Sequence, residues 1–339
     1  MLAAAAACST VTQTPDAGLD ATVADASDAG ELDAPEAADA DAGAPVVPAK
    51  LSDTGLFADI EAGVLASDIE EFEPRYVLWA DNSTKTRWIR LKGSVDTQNM
   101  DHWSLPAGTR IWKEFRVAGV RVETRLIWRW GSGPKDFIYA AYQWNAMQTD
   151  ADHVPNGVVN ANGTTHDIPP LGACAGCHDV LRERVLGFSA IQLSMSPGDL
   201  TLEKLKAQGR LTAPPIGTFA PPGNATEQEA LGYLHSNCGN CHNTDDGVKF
   251  VTPFSYRLLV GDSTVAQTGS YQSNVKVPLD AFQHQGITMR IAPGDLDASA
   301  VSYRMSVRGF QDQMPPVATK VPDAIGQNAV NAWIAALPP

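Results

Sequence analysis

The sequence predicts an α+β protein. A β-rich segment over 51–165, sandwich-like or barrel-like and antiparallel, precedes a mainly α-helical segment over 166–339, and an acidic stretch over 1–50 stays unfolded in front of both. Three observations carry this expectation. Between residues 72 and 165, apolar and polar residues alternate through runs such as "TKTRWIRLK", "TRIWKEFRV" and "VRVETRLIWRW", the period of a strand with one buried face. From His166 onward the apolar spacing changes to three and four, as in "HDVLRERVLGF", "LTLEKLKAQGRL" and "TEQEALGYLHSNC", the period of an amphipathic helix. Residues 1–50 hold nine acids and a single base, Lys50, and so carry −8 of the net charge of −14.

The chain opens on "MLAAAAACST", small apolar residues ending at Cys8. This matches the end of a lipoprotein signal peptide, and Cys8 is expected to be the lipidated residue. The Asp/Ala/Gly/Pro tract that follows is almost without aromatics. It buries too little surface to fold and suits a self-repelling tether off a membrane. No run of eighteen apolar residues occurs, so a membrane is reached only through the lipid. With the tether removed the rest is mildly acidic and has no basic patch, which argues against nucleic acid.

In the β-rich segment, Gly119 divides "KEFRVAGVRVETR" and marks a hairpin. Six of the eight tryptophans lie between Trp79 and Trp130, and Trp144 is the seventh. Such a ladder can be a carbohydrate platform, but Trp at strand spacing fits core and cross-strand packing better. In the helical segment, Thr226 with Glu229 three residues on suggests a capped helix start. The end, "DAIGQNAVNAWIAALPP", puts Val330, Trp333, Ile334 and Leu337 on one helix face.

Apart from Cys8, every cysteine lies in one of two copies of one motif: Cys174-Ala-Gly-Cys177-His178 and, 64 residues on, Cys238-Gly-Asn-Cys241-His242. Thiols at i and i+3 project from one side of a helical turn and can form thioethers to the two vinyl groups of a haem, whose iron the following histidine ligates. A four-cysteine zinc site needs no histidine after each pair, and the gap is long for a zinc ribbon. Two disulfides leave both histidines unexplained, and a thioredoxin-type site wants a βαβ context that is missing. Two covalently bound haems are therefore expected. Met314, in "DQMPPVAT" 72 residues after His242, is the expected sixth ligand of the second iron, presented by a proline-stiffened turn. For the first iron Met195, 17 residues after His178, is the first choice, with Met289, Met305, His166, His235 and His284 as other donors.

The pieces "YVLWADNSTKTRWIRL", "DTQNMDHWSLPAGTRIWKEF", "GTTHDIPPLGACAGCH", "LGFSAIQLS", "LGYLHSNCGNCHN", "RIAPGDLDASAVSYRM" and "QMPP" resemble a family of exported bacterial di-haem c-type cytochromes, many of them lipoproteins. The resemblance runs from about residue 53 to 339. It implies a di-haem cytochrome c domain over 166–339, with Cys174, Cys177, His178, Cys238, Cys241, His242 and Met314 as the haem residues. The implied activity is electron transfer with redox partner proteins of the cell envelope, in the periplasm or at the outer membrane or cell surface, with no catalytic residues. A different class, a di-haem peroxidase-like enzyme with an open site at the first haem, is the alternative. A module whose Trp-rich part docks a glycan or redox partner is a third reading.

Overall fold

In the computed structural model, the described residues are 43–245, 254–280, 282–309, 311–317 and 319–339. Cys8 and nearly all of the acidic stretch lie outside them. Residues Ala44–Pro339 form one compact unit.

The β-rich part consists of β1 (Phe57–Asp59), β2 (Val64–Leu65), β3 (Glu70–Glu71), β4 (Thr84–Arg90), β5 (Arg110–Val117), β6 (Val120–Arg129), β7 (Phe137–Trp144) and β8 (Ala151–His153). β1 and β2 pair with each other, and β3 to β8 form one antiparallel sheet in sequence order. The antiparallel sheet is as expected, but it is a single open meander rather than a sandwich or barrel. Neighbouring strands follow each other in sequence, the tightest connection being Ala118-Gly119 between the paired Val117 and Val120. Both turn residues have positive φ, 48° and 84°, the twist-matched two-residue hairpin loop that favours glycine.

The register assigns the two faces. Trp88, Trp112, Leu126 and Ala140 stand opposite one another across β4 to β7. With Tyr142 and Trp144 they are buried under Leu51, Leu56, Phe57 and Leu65. Two of the indoles are satisfied inside this core: Trp112 Nε1 donates to Thr54 Oγ1 at 3.1 Å and Trp144 Nε1 to Thr124 Oγ1 at 3.0 Å. The tryptophans at these positions serve packing, as their strand spacing suggested.

On the opposite face Ile89 and Ile111 pack with Phe72, Trp103, Phe188, Leu193 and Leu205. This cluster runs from residue 72 to residue 211, so the boundary expected at 165 lies within a shared core.

The helical part holds α1 (Leu171–His178), α2 (Ala190–Leu193), α3 (Leu202–Ala207), α4 (Ala225–Asn237), α5 (Gly269–Gln272), α6 (Ala300–Ser306) and α7 (Ala324–Ala336). Two helical expectations need correction. "HDVLRERVLGF" does not continue as helix beyond His178: α1 is capped at Asp179, and the chain further on takes positive φ at Arg184 and Gly187, which an α-helix cannot absorb. The capping box of α4 is built on Asn224 with Glu227 rather than on Thr226 with Glu229. Either pair offers the same side-chain chemistry, and packing chooses the phase.

α7 packs on α4 through Leu231, Leu234, Val330, Trp333 and Ile334. The crossing is close: a Cβ at Gly326 would come within 1.8 Å of the Tyr233 ring. Among the described residues no helix is long and apolar enough to cross a membrane.

Candidate functional site

Each Cys-x-x-Cys-His motif opens onto its own large cavity. In the first, α1 starts after Pro170 in extended conformation and ends at His178, so Cys174, Cys177 and His178 fall at the i, i+3 and i+4 positions of one short helix. The three line a cavity of about 1250 Å³, counting its open mouth, together with Ile111, Ile127, Tyr139 and Val185. His178 Nδ1 donates to the Arg184 carbonyl at 2.8 Å. A carbonyl can only accept, so the proton sits on Nδ1 and Nε2 keeps its lone pair. Burial pushes the imidazole down to about 4, so the ring is neutral at physiological pH. The Tyr139 ring lies 5.1 Å away, and its hydroxyl donates to Asp179 at 3.0 Å.

The second motif forms where α4 ends. Cys238 is the helix C-cap, and a tight turn follows in which Cys241 N and His242 N both donate to the Cys238 carbonyl, at 3.1 and 2.8 Å. Gly239 is needed between the cysteines, since a Cβ there would lie 2.7 Å from the His235 carbonyl and 3.0 Å from Arg257 Cα. Cys238, Cys241 and His242 line a cavity of about 1470 Å³, again with its mouth, whose walls also include Phe254, Tyr256, Arg290, Arg304, Met305 and Met314. Phe254 stacks on His242 at 4.4 Å and 14°. Burial holds His242 down to about 4, also neutral.

Met314 thus shares a cavity with His242, as its sequence context suggested. Its loop is braced without the sulfur: Met314 N donates to the Arg304 carbonyl at 2.9 Å, and Gln313 Nε2 donates to the Pro315 carbonyl at 3.1 Å.

Met195 is placed differently from expectation. It follows the last residues of α2 with φ of 53°, is 53% exposed, and lines neither cavity. The short helix leaves its side chain half exposed. Among the described residues that line the first cavity there is no methionine and no histidine besides His178. Other candidate donors are engaged elsewhere. His166 Nε2 lies 2.7 Å from the Glu123 carboxylate, and His235 Nδ1 accepts from Leu258 N at 3.1 Å. His284 lies against the Tyr303 ring at 4.2 Å. Met305 is in the core around α7 while bordering the second cavity, and Met289 makes β-bridges to Pro278 and Ser299.

The two motifs are neighbours in space. The Cys177 and Cys241 thiols hydrogen-bond to each other. That bond, with Arg125 and Lys113 nearby, holds Cys177 down to about 7, while the same contact and burial push Cys241 up. No three of the cysteine sulfurs, however, come within 4.8 Å of one another, which disfavours a shared zinc.

The group that does meet that distance is His102, Glu183 and Asp245. Arg257 Nη2 lies 2.7 Å from Glu183 Oε1 and Nη1 3.9 Å from Asp245 Oδ2, while His102 Nδ1 is 3.2 Å from Glu183. A buried guanidinium already offsets the two carboxylates, so the group is an ion network. It ties the loops that leave the two motifs, since Glu183 lies five residues past His178 and Asp245 three past His242.

Sequence reasoning missed this network, whose members are far apart in the chain. It also missed Arg87, Lys113 and Arg125, which line the first cavity from the sheet. A signal for these existed: basic residues recur in phase with apolar ones on successive strands, at positions that alternation assigns to a buried face.

The donor sets fit a tetrapyrrole iron: paired thiols on one turn, a neutral imidazole with a free Nε2 beside the first pair, a neutral imidazole beside the second, and a thioether in the second cavity. No family model matches the chain, and no curated protein and no solved structure matches it.

Proposed function

We propose that the protein is a di-haem c-type cytochrome that transfers electrons in the cell envelope, tethered by lipid on Cys8 and exchanging electrons with redox partner proteins. The observation that carries this reading is the pairing of each Cys-x-x-Cys-His motif with its own cavity, the second of which also holds Met314. When bound, haem iron supplies one-electron exchange. The chain's part is to attach, ligate and shield. Cys174, Cys177, Cys238 and Cys241 provide the thioethers, and His178 and His242 the proximal nitrogens. The Arg184 carbonyl fixes the His178 tautomer and raises its basicity, and the thioether of Met314 raises the potential of the second site. Because Cys177 and Cys241 touch, the two attachment edges adjoin, which favours exchange between the sites.

The test is intact mass under denaturing conditions. Protein from a host with haem c maturation should exceed the polypeptide by two haem masses, and an increment of one or none refutes the assignment.

One observation favours a second reading, a peroxidase-like enzyme. The first cavity offers no second sulfur or imidazole donor among the described residues. A large change in the reduced spectrum on adding carbon monoxide, confined to one haem, is the outcome expected of that enzyme and not of a carrier with both irons fully ligated.

A further inference from the structure

The floor of the first cavity is built against electrostatic convenience. Arg87 on β4 stands directly opposite Lys113 on β5, and Lys113 directly opposite Arg125 on β6. Like charges facing each other across strands are destabilising, and all three line the same cavity. Arg125 has a partner: Nε lies 2.6 Å from Glu123 Oε1. The other two do not. Arg87 is 5% exposed, and among the described residues neither it nor Lys113 has an ion pair within 4 Å or a hydrogen bond from its side chain. The Lys113 ammonium lies 4.9 Å from the centre of the Phe115 ring.

Burial and the neighbouring Arg87, Arg125 and Lys85 push Lys113 well below its ordinary range. Burial likewise lowers Arg87, to about 10, against the pull of Glu73. Arg87 is buried and Lys113 half-buried, and among the described residues neither has a carboxylate within 4 Å; cations so placed are costly, unless an anion belongs between them.

The row also has a direction. α1, which carries the thiols, packs on β7, and Arg125, Lys113 and Arg87 stand on the next strands in turn, β6, β5 and β4. Across strands spaced about 4.8 Å apart, Arg87 is roughly 10 Å from Arg125. The positive charge therefore extends away from the attachment thiols. A tetrapyrrole joined through its vinyl edge carries its two propionic acids on the opposite edge.

We propose that Arg87 and Lys113 form a carboxylate-binding pair on the sheet floor of the first cavity, which receives the acid groups of the tetrapyrrole attached at Cys174 and Cys177. The inference rests on the haem reading above. Other charged or titratable groups facing the pair are Glu73 before β4, Lys85 on β4, Glu123 and Arg125 on β6, Tyr139 on β7 and His178 on α1. In each case one cation meets one carboxylate, which keeps the acid ionised at neutral pH.

The experiment uses the full-length haem-loaded protein, its Lys113→Met and Arg87→Met variants, and Lys113→Arg as the conservative control. The potential of the first haem is titrated from pH 5 to pH 8 by spectroelectrochemistry. The wild type should be flat, because the acids stay ionised across the range. Each Met variant should show a lower potential, since a positive charge that disfavours the ferric state is gone. Its potential should also fall with rising pH, with a slope approaching one proton per electron as the released acid titrates. Lys113→Arg should restore the flat profile. Either Met variant suffices, so failure of one to mature leaves the other as the test.

A Met variant as flat as the wild type overturns the proposal. So does a wild-type potential that moves with added acetate or nitrate at constant ionic strength, which would make the pair a site for free small anions. Haem present on the Cys174–Cys177 peptide with an unmoved slope refutes this inference alone, whereas no haem mass on that peptide refutes the haem reading with it.

Discussion

Replacing Met314 with Ala separates the two things its loop does. The backbone of the loop is fastened by Met314 N to the Arg304 carbonyl and by Gln313 to Gly309 and Pro315. None of these bonds uses the sulfur, so the truncated loop should keep its place over the cavity shared with His242. On the proposed haem reading, what is lost is one thioether donor. Axial ligands set haem potentials over a span of about 0.8 V, and exchanging a thioether for water is a substantial part of that span. A fall on the order of 100 mV is expected, about 2.3 kcal/mol for a one-electron couple at 59 mV per tenfold. The assay is a potentiometric titration of the second haem, with the ferric sulfur-to-iron charge-transfer band read in parallel. The band should vanish while the mass increment on Cys238 and Cys241 persists. An unchanged band and potential would refute the reasoning and point to Met305, the other methionine bordering that cavity.

Two further predictions concern the scaffold. Gly326→Ala places a methyl 1.8 Å from the Tyr233 ring, so α7 must shift on α4. A loss of about 2 kcal/mol is expected from overpacking, seen as a lower denaturation midpoint without a change in either haem spectrum; a loss below about 0.5 kcal/mol would mean that the crossing relaxes freely. Glu123 is fully buried. Burial alone would raise its carboxyl, but Arg125 and His166 overcome this and hold it below the usual range. A depressed carboxyl contributes stability that is complete above its unfolded value, near 4.3, and lost as pH falls through its lower folded value. Glu123→Gln should therefore cost about 3 kcal/mol at pH 7, by leaving Arg125 and His166 without their anion, and should flatten acid unfolding below pH 5. An acid limb as steep as that of the wild type would exclude Glu123 as its source.

The sequence by itself determined what depends on near neighbours. Strands, helices and the Ala118-Gly119 turn follow from periodicity and turn chemistry, whose physics spans only a few residues. The two Cys-x-x-Cys-His motifs are equally local, since each needs only the i, i+3 and i+4 positions of one turn. That Met314 lines the same cavity as His242 was suggested by its prolines and its place after His242, which mark a presented side chain.

Only the tertiary structure decided the rest. It set a single open sheet in place of a sandwich, through the order in which strands pair. It moved the start of α4 to Asn224, where two cap choices were chemically equivalent. It turned Met195 outward, because four residues of helix and one positive φ fix a direction that spacing alone cannot.

Above all it brought together residues far apart in the chain. Cys177 meets Cys241, Glu183 and Asp245 meet at Arg257, and Arg87, Lys113 and Arg125 form one row. The register of the sheet fixes the last of these. Sequence separation carries no information about which buried charges will face each other; that depends on which strands become neighbours and on which face of each is covered.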